Sequence, residues 1–271
     1  MSKVENQMKS QSQSQNHHKL EIKNLHFSYP DGHSAVKDMS FTICDGEAVG
    51  IIGANGAGKS TLLMLLMGVL FPGKGEVIVG DVLMTKKTLS MLRQQLGMVF
   101  QDPDDQLFMT TVYDDVAFGP RNYKLDEKEV EKRVLSALET VGIVHLKDRA
   151  PFKLSGGEKR SAAIAAVLSM QPDILIMDEP TAALDPKSRR RVMNLLKGFE
   201  HTKIITSHDL DMVFETCNRI IVVKDGKIIA DGTNKEVLTD IELLDRCGLE
   251  LPLSLQNCPV CGRQKSNTED K

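Results

Sequence analysis

The sequence predicts an α/β fold built on a parallel sheet, with an N-terminal antiparallel β subdomain and an α-helical insert. Three observations predict it. Apolar and polar residues alternate from 20 to 43, as they do in half-buried strands. The short runs 48–52, 174–177 and 203–206 are apolar with little alternation, which is typical of strands buried on both faces. Residues 102–157 instead include apolar side chains at helical spacing.

Length and composition exclude several classes of protein. The chain has 271 residues, 41% of them hydrophobic, so it can bury a sizeable core. Its formal net charge of −3 provides no overall positive field, and we predict no nucleic-acid partner. No stretch reaches the roughly 18 to 20 apolar residues of a membrane span, and the polar N-terminus does not resemble a signal peptide. We therefore expect a cytosolic protein whose five cysteines stay reduced.

The N-terminal region predicts a tail followed by a small sheet. Residues 1–18 are rich in Gln and Ser, which predicts a disordered tail. His17 and His18 could bind a metal weakly, although a solvated tail is the simpler interpretation. Order is expected to begin near Leu20, and residues 20–50 are predicted to form the antiparallel sheet, with a Pro-Asp-Gly turn at 30–32.

A strand, a glycine-rich turn and a helix follow in direct succession. The strand at 48–52 leads into the turn at 53–58 and then into a helix at 59–67, which Gly68 can end. This succession is the first unit of a parallel α/β sheet.

The helical insert is predicted over about 102–157, after which the sheet resumes. One of its helices has an apolar face formed by Val130, Val134, Leu138 and Val141, with Gly142 at its end. The strands at 174–177 and 203–206 then flank a helix around 187–198. Finally, the strands at 219–224 and 227–230 flank Asp225-Gly226, which predicts a hairpin with a type I′ turn.

The turn after the first buried strand has the sequence of a phosphate-binding loop (P-loop, residues 53–60). GANGAGKS matches G-x-x-x-x-G-K-[ST], in which glycines let backbone N–H groups wrap around phosphate oxygens at a helix N-terminus. The motif predicts a RecA-like P-loop NTPase core in which Lys59 reaches the β- and γ-phosphates and Ser60 binds Mg²⁺. The predicted ATP-binding residues of this region are Gly53, Ala54, Asn55, Gly56, Ala57, Gly58, Lys59, Ser60 and Thr61.

Two acidic residues end the buried strand that begins near residue 174. Open α/β sheets bind ligands at the carboxyl ends of their strands, so Asp178 is predicted to hold Mg²⁺ and Glu179 to polarise an attacking water. A buried strand can also end in acids without a catalytic reason. The P-loop elsewhere in the chain favours the catalytic interpretation.

A second glycine-rich helix start lies at residues 154–158, the signature segment (Leu-Ser-Gly-Gly-Glu). Ser155 can cap the helix, and the free N–H groups offer another anion site. One nucleotide does not need two phosphate cradles, so the second cradle calls for a separate explanation.

In combination, these motifs resemble those of the ATP-binding-cassette (ABC) ATPases over about residues 20–240. The P-loop is similar to the family's Walker A, residues 173–179 to its Walker B with the catalytic glutamate, and the signature segment to LSGGQ. Four further positions match in the family's order: the adenine-stacking aromatic (Tyr29), the Mg²⁺- and γ-phosphate-sensing glutamine (Gln101), the D-loop aspartate (Asp185) and the switch histidine (His208).

The resemblance implies a dimer of cassettes that share their active sites. Ser155, Gly156 and Gly157 of one subunit, with Asp185, would close over the ATP held by the P-loop of the other. Glu179, His208 and Gln101 would act in catalysis, and Ser60, Gln101 and Asp178 would bind Mg²⁺. Each matched residue also has a structural alternative: a strand aromatic for Tyr29, a turn residue for Gln101, a loop histidine for His208 and a helix cap for Asp185.

The chain departs from the family's pattern just after the signature segment. The family usually has an arginine at the place of Ser161, whereas here Arg160 lies one residue earlier. One residue turns a helix side chain by about 100°, so Arg160 does not simply replace the missing arginine. This departure puts charge pairing in the helical insert in doubt but leaves the phosphate cradle untouched.

Segment lengths separate the branches of the family. Only 94 residues lie between Ser60 and Ser155, without a heptad run, which excludes the DNA-repair and chromosome-maintenance ATPases with their long coiled coils. One cassette without a membrane segment favours a stand-alone importer subunit at the cytoplasmic face of the membrane. Residues 98–108 and 114–120 resemble the ATP-binding subunits of energy-coupling-factor (ECF) transporters. We expect the cobalt/nickel branch first and the vitamin branch second; the rivals are a soluble ABC ATPase without a membrane partner and a non-catalytic nucleotide switch.

Residues 102–120 are predicted to form a groove for a basic helix of a membrane subunit. The groove would combine apolar residues with acidic ones, namely Leu107, Phe108, Tyr113 and Phe118 with Asp104, Asp105, Asp114 and Asp115. Alternatively, the apolar residues belong to the core of the insert.

The chain is thus divided into the tail, an ATPase domain at 19–242 and a C-terminal extension at 243–271. Cys258 and Cys261 resemble half of a zinc ribbon, and two tails of a dimer, or Cys247, could complete a Zn²⁺ site. A tail with free thiols is the alternative.

Overall fold

The structure is a computed structural model that describes residues 18–256. Its strands are β1 (His18–Ser28), β2 (Ser34–Cys44), β3 (Ala48–Ile52), β4 (Lys74–Val79), β5 (Val82–Leu83), β6 (Leu96–Val99), β7 (Ile174–Asp178), β8 (Thr202–Thr206), β9 (Arg219–Lys224) and β10 (Lys227–Thr233). Its helices are α1 (Lys59–Leu66), α2 (Leu89–Gln95), α3 (Val112–Asn122), α4 (Glu127–Thr140), α5 (Gly156–Leu168), α6 (Pro186–Gly198), α7 (Leu210–Thr216), α8 (Asn234–Thr239) and α9 (Ile241–Arg246).

The strands form the two predicted sheets. Four strands in the order β2-β1-β4-β5 make an antiparallel sheet. Six strands in the order β10-β9-β3-β8-β7-β6 make the central sheet, which is parallel from β9 to β6. The prediction that the antiparallel sheet extends to residue 50 is wrong at its end, because β2 ends at Cys44 and β3 pairs inside the central sheet.

The central sheet is buried because both of its faces are covered. Every residue of β3, β7 and β8 is buried, which is why these strands lack alternation in the sequence. Ile174 and Ile176 pack with the antiparallel sheet and α1, whereas Leu175 and Met177 pack with the helices of the opposite face. The pleat of a single strand therefore joins the two hydrophobic cores.

The helical insert consists of α3 and α4 packed on α5. The predicted apolar face of α4 is confirmed, since Val130, Val134 and Leu138 are buried and Gly142 follows the helix with a φ of 73°. The hairpin between β9 and β10 is also confirmed: Asp225 and Gly226 have φ values of 50° and 79°, as a type I′ turn requires.

Residues 243–247 pack into the domain. The boundary predicted after residue 242 falls inside α9, and Leu243, Leu244 and Cys247 are buried in the helical core. Among residues 18–256, no helix combines the length and apolarity needed to cross a membrane. His17, Cys258 and Cys261 lie outside the described residues, so the two metal-binding predictions for these tails stay predictions.

Candidate active site

The predicted motifs meet at one edge of the central sheet. Four adjacent parallel strands, β3, β8, β7 and β6, end at this edge. They are followed respectively by the P-loop, His208, Glu179 and Gln101. Because parallel strands present their carboxyl ends together, motifs far apart in the sequence become neighbours here.

Two glycines of the P-loop are required by close backbone contacts. A Cβ atom on Gly53 would lie 2.1 Å from the carbonyl oxygen of Val223, and one on Gly58 would lie 2.3 Å from that of Ala35. Gly58 also has a φ of 104°, which side chains rarely tolerate. The loop is therefore wedged between β2 and β9, and its shape depends on these two positions.

Lys59 is buried at the start of α1 and folds back onto the P-loop. Its Nζ donates hydrogen bonds to the carbonyl oxygens of Gly53 at 2.7 Å and Ala54 at 3.2 Å. Burial lowers the pKa of Lys59, while the nearby carboxylates of Glu179 and Asp178 oppose that shift. The loop thus holds a cation beside the acidic residues, and phosphate oxygens can replace the carbonyl partners of that cation.

A cleft of about 400 Å³ opens over the P-loop. The structure brings most of the predicted residues to this cleft, including Gln101, Asp178, Glu179 and His208 together with the loop from Asn55 to Thr61. His33 and Ala35, which were not predicted from the sequence, also line the cleft. Both lie at the start of β2, and no local motif distinguishes them.

Asp178 is oriented at the end of β7 by a hydrogen bond. It is buried, and its Oδ1 accepts a hydrogen bond from the Thr206 hydroxyl. Ser60, Asp178 and Gln101 line the same cleft. Their side chains contain hydroxyl, carboxylate and amide oxygens, and an all-oxygen donor set suits Mg²⁺. A bound Mg²⁺ would neutralise charge on the phosphates.

Glu179 has two carboxylate oxygens in different situations. Ser207 Oγ and the His208 backbone N–H both donate to Oε2 at 3.1 Å. Oε1 is buried without a hydrogen-bond partner among the described residues, although His208 Nε2 lies 3.3 Å away. A buried oxygen without a partner is costly unless it binds water or a ligand. Glu179 is therefore oriented by one oxygen and free to accept a proton or a water with the other.

The backbone at Glu179 supports a functional constraint. Its φ of 46° lies in the left-handed region, which costs free energy for a residue other than glycine. The Glu179 N–H donates to the Thr206 carbonyl oxygen at 3.0 Å, which keeps this conformation in register with β8. Strain at a buried carboxylate beside a phosphate-binding loop is typical of a catalytic position.

The loop that carries His208 is fixed by a clamp that was not predicted from the sequence. Arg189 of α6 donates two hydrogen bonds to the Asp209 carboxylate, which also accepts from Thr181 Oγ1 and from the Met212 backbone N–H. The clamp joins the start of α6 to the residue after His208. In the sequence, the only local indication of this clamp was the acidic residue Asp209 directly after His208.

Tyr29 is close to the P-loop helix but does not line the cleft. Its hydroxyl lies 3.0 Å from Thr61 Oγ1, and its ring is nearly parallel to that of His33, with centroids 6.5 Å apart. Stacking of Tyr29 on adenine stays a prediction. The parallel His33 ring, which does line the cleft, belongs to the same surface.

The signature segment forms the predicted capped helix start. Ser155 and Glu158 make a capping box, in which the Glu158 carboxylate accepts from both the backbone N–H and the hydroxyl of Ser155 at 2.8 Å. These hydrogen bonds hold the pKa of Glu158 below its usual range. Gly157 packs on α6, since an added Cβ would lie 2.2 Å from Ser188 Oγ, whereas Gly156 faces open space.

The signature segment does not line the cleft over the P-loop, although Leu154 and Gly156 line a neighbouring cavity together with Ser60, Gln101 and Asp178. Asp185 is exposed and caps α6 by accepting from the backbone N–H groups of Lys187 and Ser188. The helix-cap role considered for Asp185 is thus present, and its role at a second site stays a prediction.

Comparison with known proteins identifies the family. The model of the ABC transporter family matches residues 36–182, which include the P-loop, Gln101, the signature segment and Glu179. The chain belongs to the ABC transporter family. It is an ABC ATPase, an ATP-hydrolysing transporter subunit.

Relatives and solved structures agree with this assignment over most of the chain. A provisionally named ABC transporter ATP-binding protein of Geobacter sulfurreducens is 58% identical over 91% of this chain and 99% of its own length. The energy-coupling factor transporter ATP-binding protein EcfA of Methanocaldococcus jannaschii is 46% identical over 86% of this chain and 85% of its own length. The structure of cbiO1 from Clostridium perfringens, described as part of the ABC transporter complex cbiONQ, has a TM-score of 0.76 at 42% identity and covers 84% of this chain and 94% of that one.

Proposed function

We propose that this ABC ATPase is the ATP-hydrolysing subunit of an ECF-type importer and that the imported solute is a transition-metal ion, cobalt or nickel. Support comes from its similarity to EcfA proteins and to the cbiO1 protein of the cbiONQ complex. The observation that carries the proposal is an exposed aromatic pair on the insert, Phe108 and Phe118, located shortly after Gln101 in the chain. An exposed aromatic pair of this kind is suited to contact with a membrane subunit.

In the proposed cycle, two cassettes pair head to tail, as identical or related chains. The P-loop and Lys59 of one subunit bind the phosphates of ATP, while Ser60, Asp178 and Gln101 hold the Mg²⁺. Ser155, Gly156 and Gly157 of the second subunit close over the same nucleotide, with Asp185 near the shared boundary. Two incomplete cradles in each chain thereby make two complete sites in the dimer.

Within a complete site, the side chains of this chain orient water and stabilise charge. Glu179, held through Oε2, accepts a proton from the attacking water through Oε1. His208 and Lys59 donate to the oxygens of the γ-phosphate as negative charge develops on them. Hydrolysis removes the shared ligand, so the two subunits separate and the membrane partner changes its conformation.

The docking surface differs from the groove predicted from the sequence. Leu107 is buried, as is Asp115, which is 5% exposed and accepts hydrogen bonds from the backbone N–H groups of Phe108 and Met109. These two residues therefore support the loop and are not available to a partner. The surface we propose for a basic helix of the membrane subunit consists of Phe108, Phe118 and the exposed Asp105.

Replacing Phe118 with serine should weaken this docking without affecting folding. Phe118 is 43% exposed and contacts Phe108 edge to face, so its loss removes part of the apolar surface offered to the partner. We expect co-purification with the membrane subunits to fall about tenfold, as for the loss of an interface aromatic. Ile229→Ser is the matched control, because Ile229 is equally exposed but lies on β10. Equal recovery of the complex with both variants would contradict this docking surface.

Uptake measurements test the proposed function directly. In the source cells, deletion of the gene should abolish energy-dependent accumulation of radioactive cobalt or nickel, and the intact gene should restore it. A gene carrying Glu179→Gln should not restore it, since that protein can bind ATP but cannot complete the cycle.

Other outcomes of the same experiment identify the alternatives. Normal metal uptake with a loss of vitamin uptake would support an ECF vitamin importer instead. Normal uptake of both classes, with a protein that does not sediment with membranes, would support an ABC ATPase without a transport role.

A further inference from the structure

Arg160, in the first turns of α5, is a buried arginine without an acidic partner. Its side chain is among the largest that are fully buried, and the residue is 2% exposed. It makes no ion pair among residues 18–256; instead, its two terminal nitrogens donate to the carbonyl oxygens of Phe100, at 2.7 Å, and Gln101. Burying a guanidinium is costly, so a site that retains one calls for a specific reason.

The contacts of Ser161 and Arg160 explain the unusual sequence after the signature segment. Ser161, at the place of the family's arginine, is buried and donates to the Gly157 carbonyl oxygen within its own helix. Arg160 points to the loop after β6. Arg160 therefore binds backbone carbonyl oxygens of this loop and forms no ion pair with a carboxylate of the described part of the insert.

The loop that Arg160 contacts, residues 100–106, needs external support. Strand β6 ends at Val99, so the carbonyl oxygens of Phe100 and Gln101 receive no hydrogen bonds from the sheet ladder. Gln106 connects the two ends of the loop, since its Nε2 donates to the Ala163 carbonyl oxygen of α5 at 2.7 Å and its Oε1 accepts from the Phe100 backbone N–H at 3.4 Å. Arg160 is the support nearest to Gln101.

We propose that Arg160 is a positioning residue that holds Gln101 toward the Mg²⁺ and γ-phosphate site by binding two successive carbonyl oxygens. With its backbone carbonyl turned to α5, Gln101 places its side chain in the P-loop cleft. A planar guanidinium can donate to both carbonyls at once, which an ammonium group on a flexible chain does not reproduce. The inference rests on the proposed role of Gln101 in sensing Mg²⁺.

Arg160 could affect Mg²⁺ binding through its positive charge alone or by positioning Gln101, and these two explanations predict opposite effects of removing it. Burial lowers the pKa of Arg160, and the carboxylates of Asp102 and Asp178 oppose this shift. A positive charge near Asp178 would oppose Mg²⁺ binding by that carboxylate. If Arg160 acted only through its charge, removing it would strengthen Mg²⁺ binding, and Arg160→Lys would have no effect. If Arg160 acts by positioning, both Arg160→Met and Arg160→Lys weaken the Mg²⁺ response.

The experiment measures ATP turnover of the full chain as a function of Mg²⁺ concentration at saturating ATP. We expect Arg160→Lys and Arg160→Met to raise the Mg²⁺ concentration at half-maximal rate by about threefold to tenfold, the effect of losing hydrogen bonds of this kind. Binding of ATP without Mg²⁺ should stay within about twofold of the unchanged protein, because the P-loop is not altered. Arg133→Met on α4 is the control, since Arg133 pairs only with Glu129 among the described residues.

A double-mutant cycle with Gln101→Ala completes the test. In the Gln101→Ala background, Arg160→Lys should have no further effect on the Mg²⁺ response, because the residue being positioned is absent. Additive effects of the two substitutions would overturn the proposal, as would a stronger Mg²⁺ response of Arg160→Met. A Gln101→Ala variant with normal turnover would overturn it as well, while leaving the ATPase and transport assignments intact. If Arg160→Met fails to fold in thermal unfolding, Arg160→Lys retains the charge and carries the test.

Discussion

Glu179→Gln is expected to reduce steady-state ATP turnover by about 10²- to 10⁴-fold while ATP binding persists, because the variant loses a general base. Glutamine keeps the shape of the side chain and can still accept the hydrogen bonds that Ser207 and His208 donate to Oε2. It cannot accept a proton from water at the place of Oε1. Phosphate release measures turnover, and equilibrium binding of a fluorescent ATP analogue measures affinity.

The control for this variant removes a carboxylate elsewhere. Glu76 is exposed on β4 of the antiparallel sheet and does not line the P-loop cleft, so Glu76→Gln should retain full turnover. Unimpaired turnover of Glu179→Gln would remove Glu179 from its proposed role. A loss of both turnover and ATP binding would mean that the carboxylate supports the cleft rather than the reaction.

Gly156→Ala is expected to reduce turnover by about 100-fold without destabilising the folded subunit, since small misplacements at a reacting site have effects of this size. A Cβ atom at Gly156 meets no atom within 4 Å of its own chain, and alanine suits the first turn of a helix. The methyl group can therefore interfere only with something that approaches from outside, which we propose to be the nucleotide held by the second subunit.

The matched control is Gly198→Ala at the end of α6. A Cβ atom there also meets nothing within 4 Å, and the position lies away from the signature segment. Both variants should keep the free energy of unfolding and the ATP affinity of the P-loop, and only Gly156→Ala should lose turnover. Normal turnover of Gly156→Ala, or full turnover of the unchanged chain at dilutions that separate subunits, would contradict shared active sites.

Prediction from sequence succeeded where structure and chemistry are local. The P-loop consists of eight consecutive residues, and that segment alone contains the glycines that allow its backbone conformation, the start of the helix and the lysine. The fully buried strands β3, β7 and β8 were visible for a related reason, since burial on both faces removes polar residues from a short run. The apolar face of α4 was predicted correctly from the helical spacing of its apolar residues.

Prediction missed elements whose form depends on their neighbours. No strand was predicted at β4 or β6, because β4 is mostly exposed over its first half and β6 has only four residues. These two strands are stabilised by hydrogen bonds to β1 and β7. A short or partly polar segment contains no local pattern from which such pairing can be predicted. The burial of Leu243 and Leu244 was likewise not visible in the sequence, because it depends on the core that these side chains contact.

The amino-acid order alone determined which chemical groups this protein uses, because phosphate binding, metal coordination and helix capping are properties of short segments. Only the tertiary structure decided which of those groups can act. It buried Asp115 as a support for the loop while leaving Asp105 exposed. It also placed Arg160 against a carbonyl oxygen 60 residues away, turning an apparent irregularity of the sequence into a support for Gln101. Burial and long-range pairing are set by the packing of the whole domain, and a local pattern does not contain them.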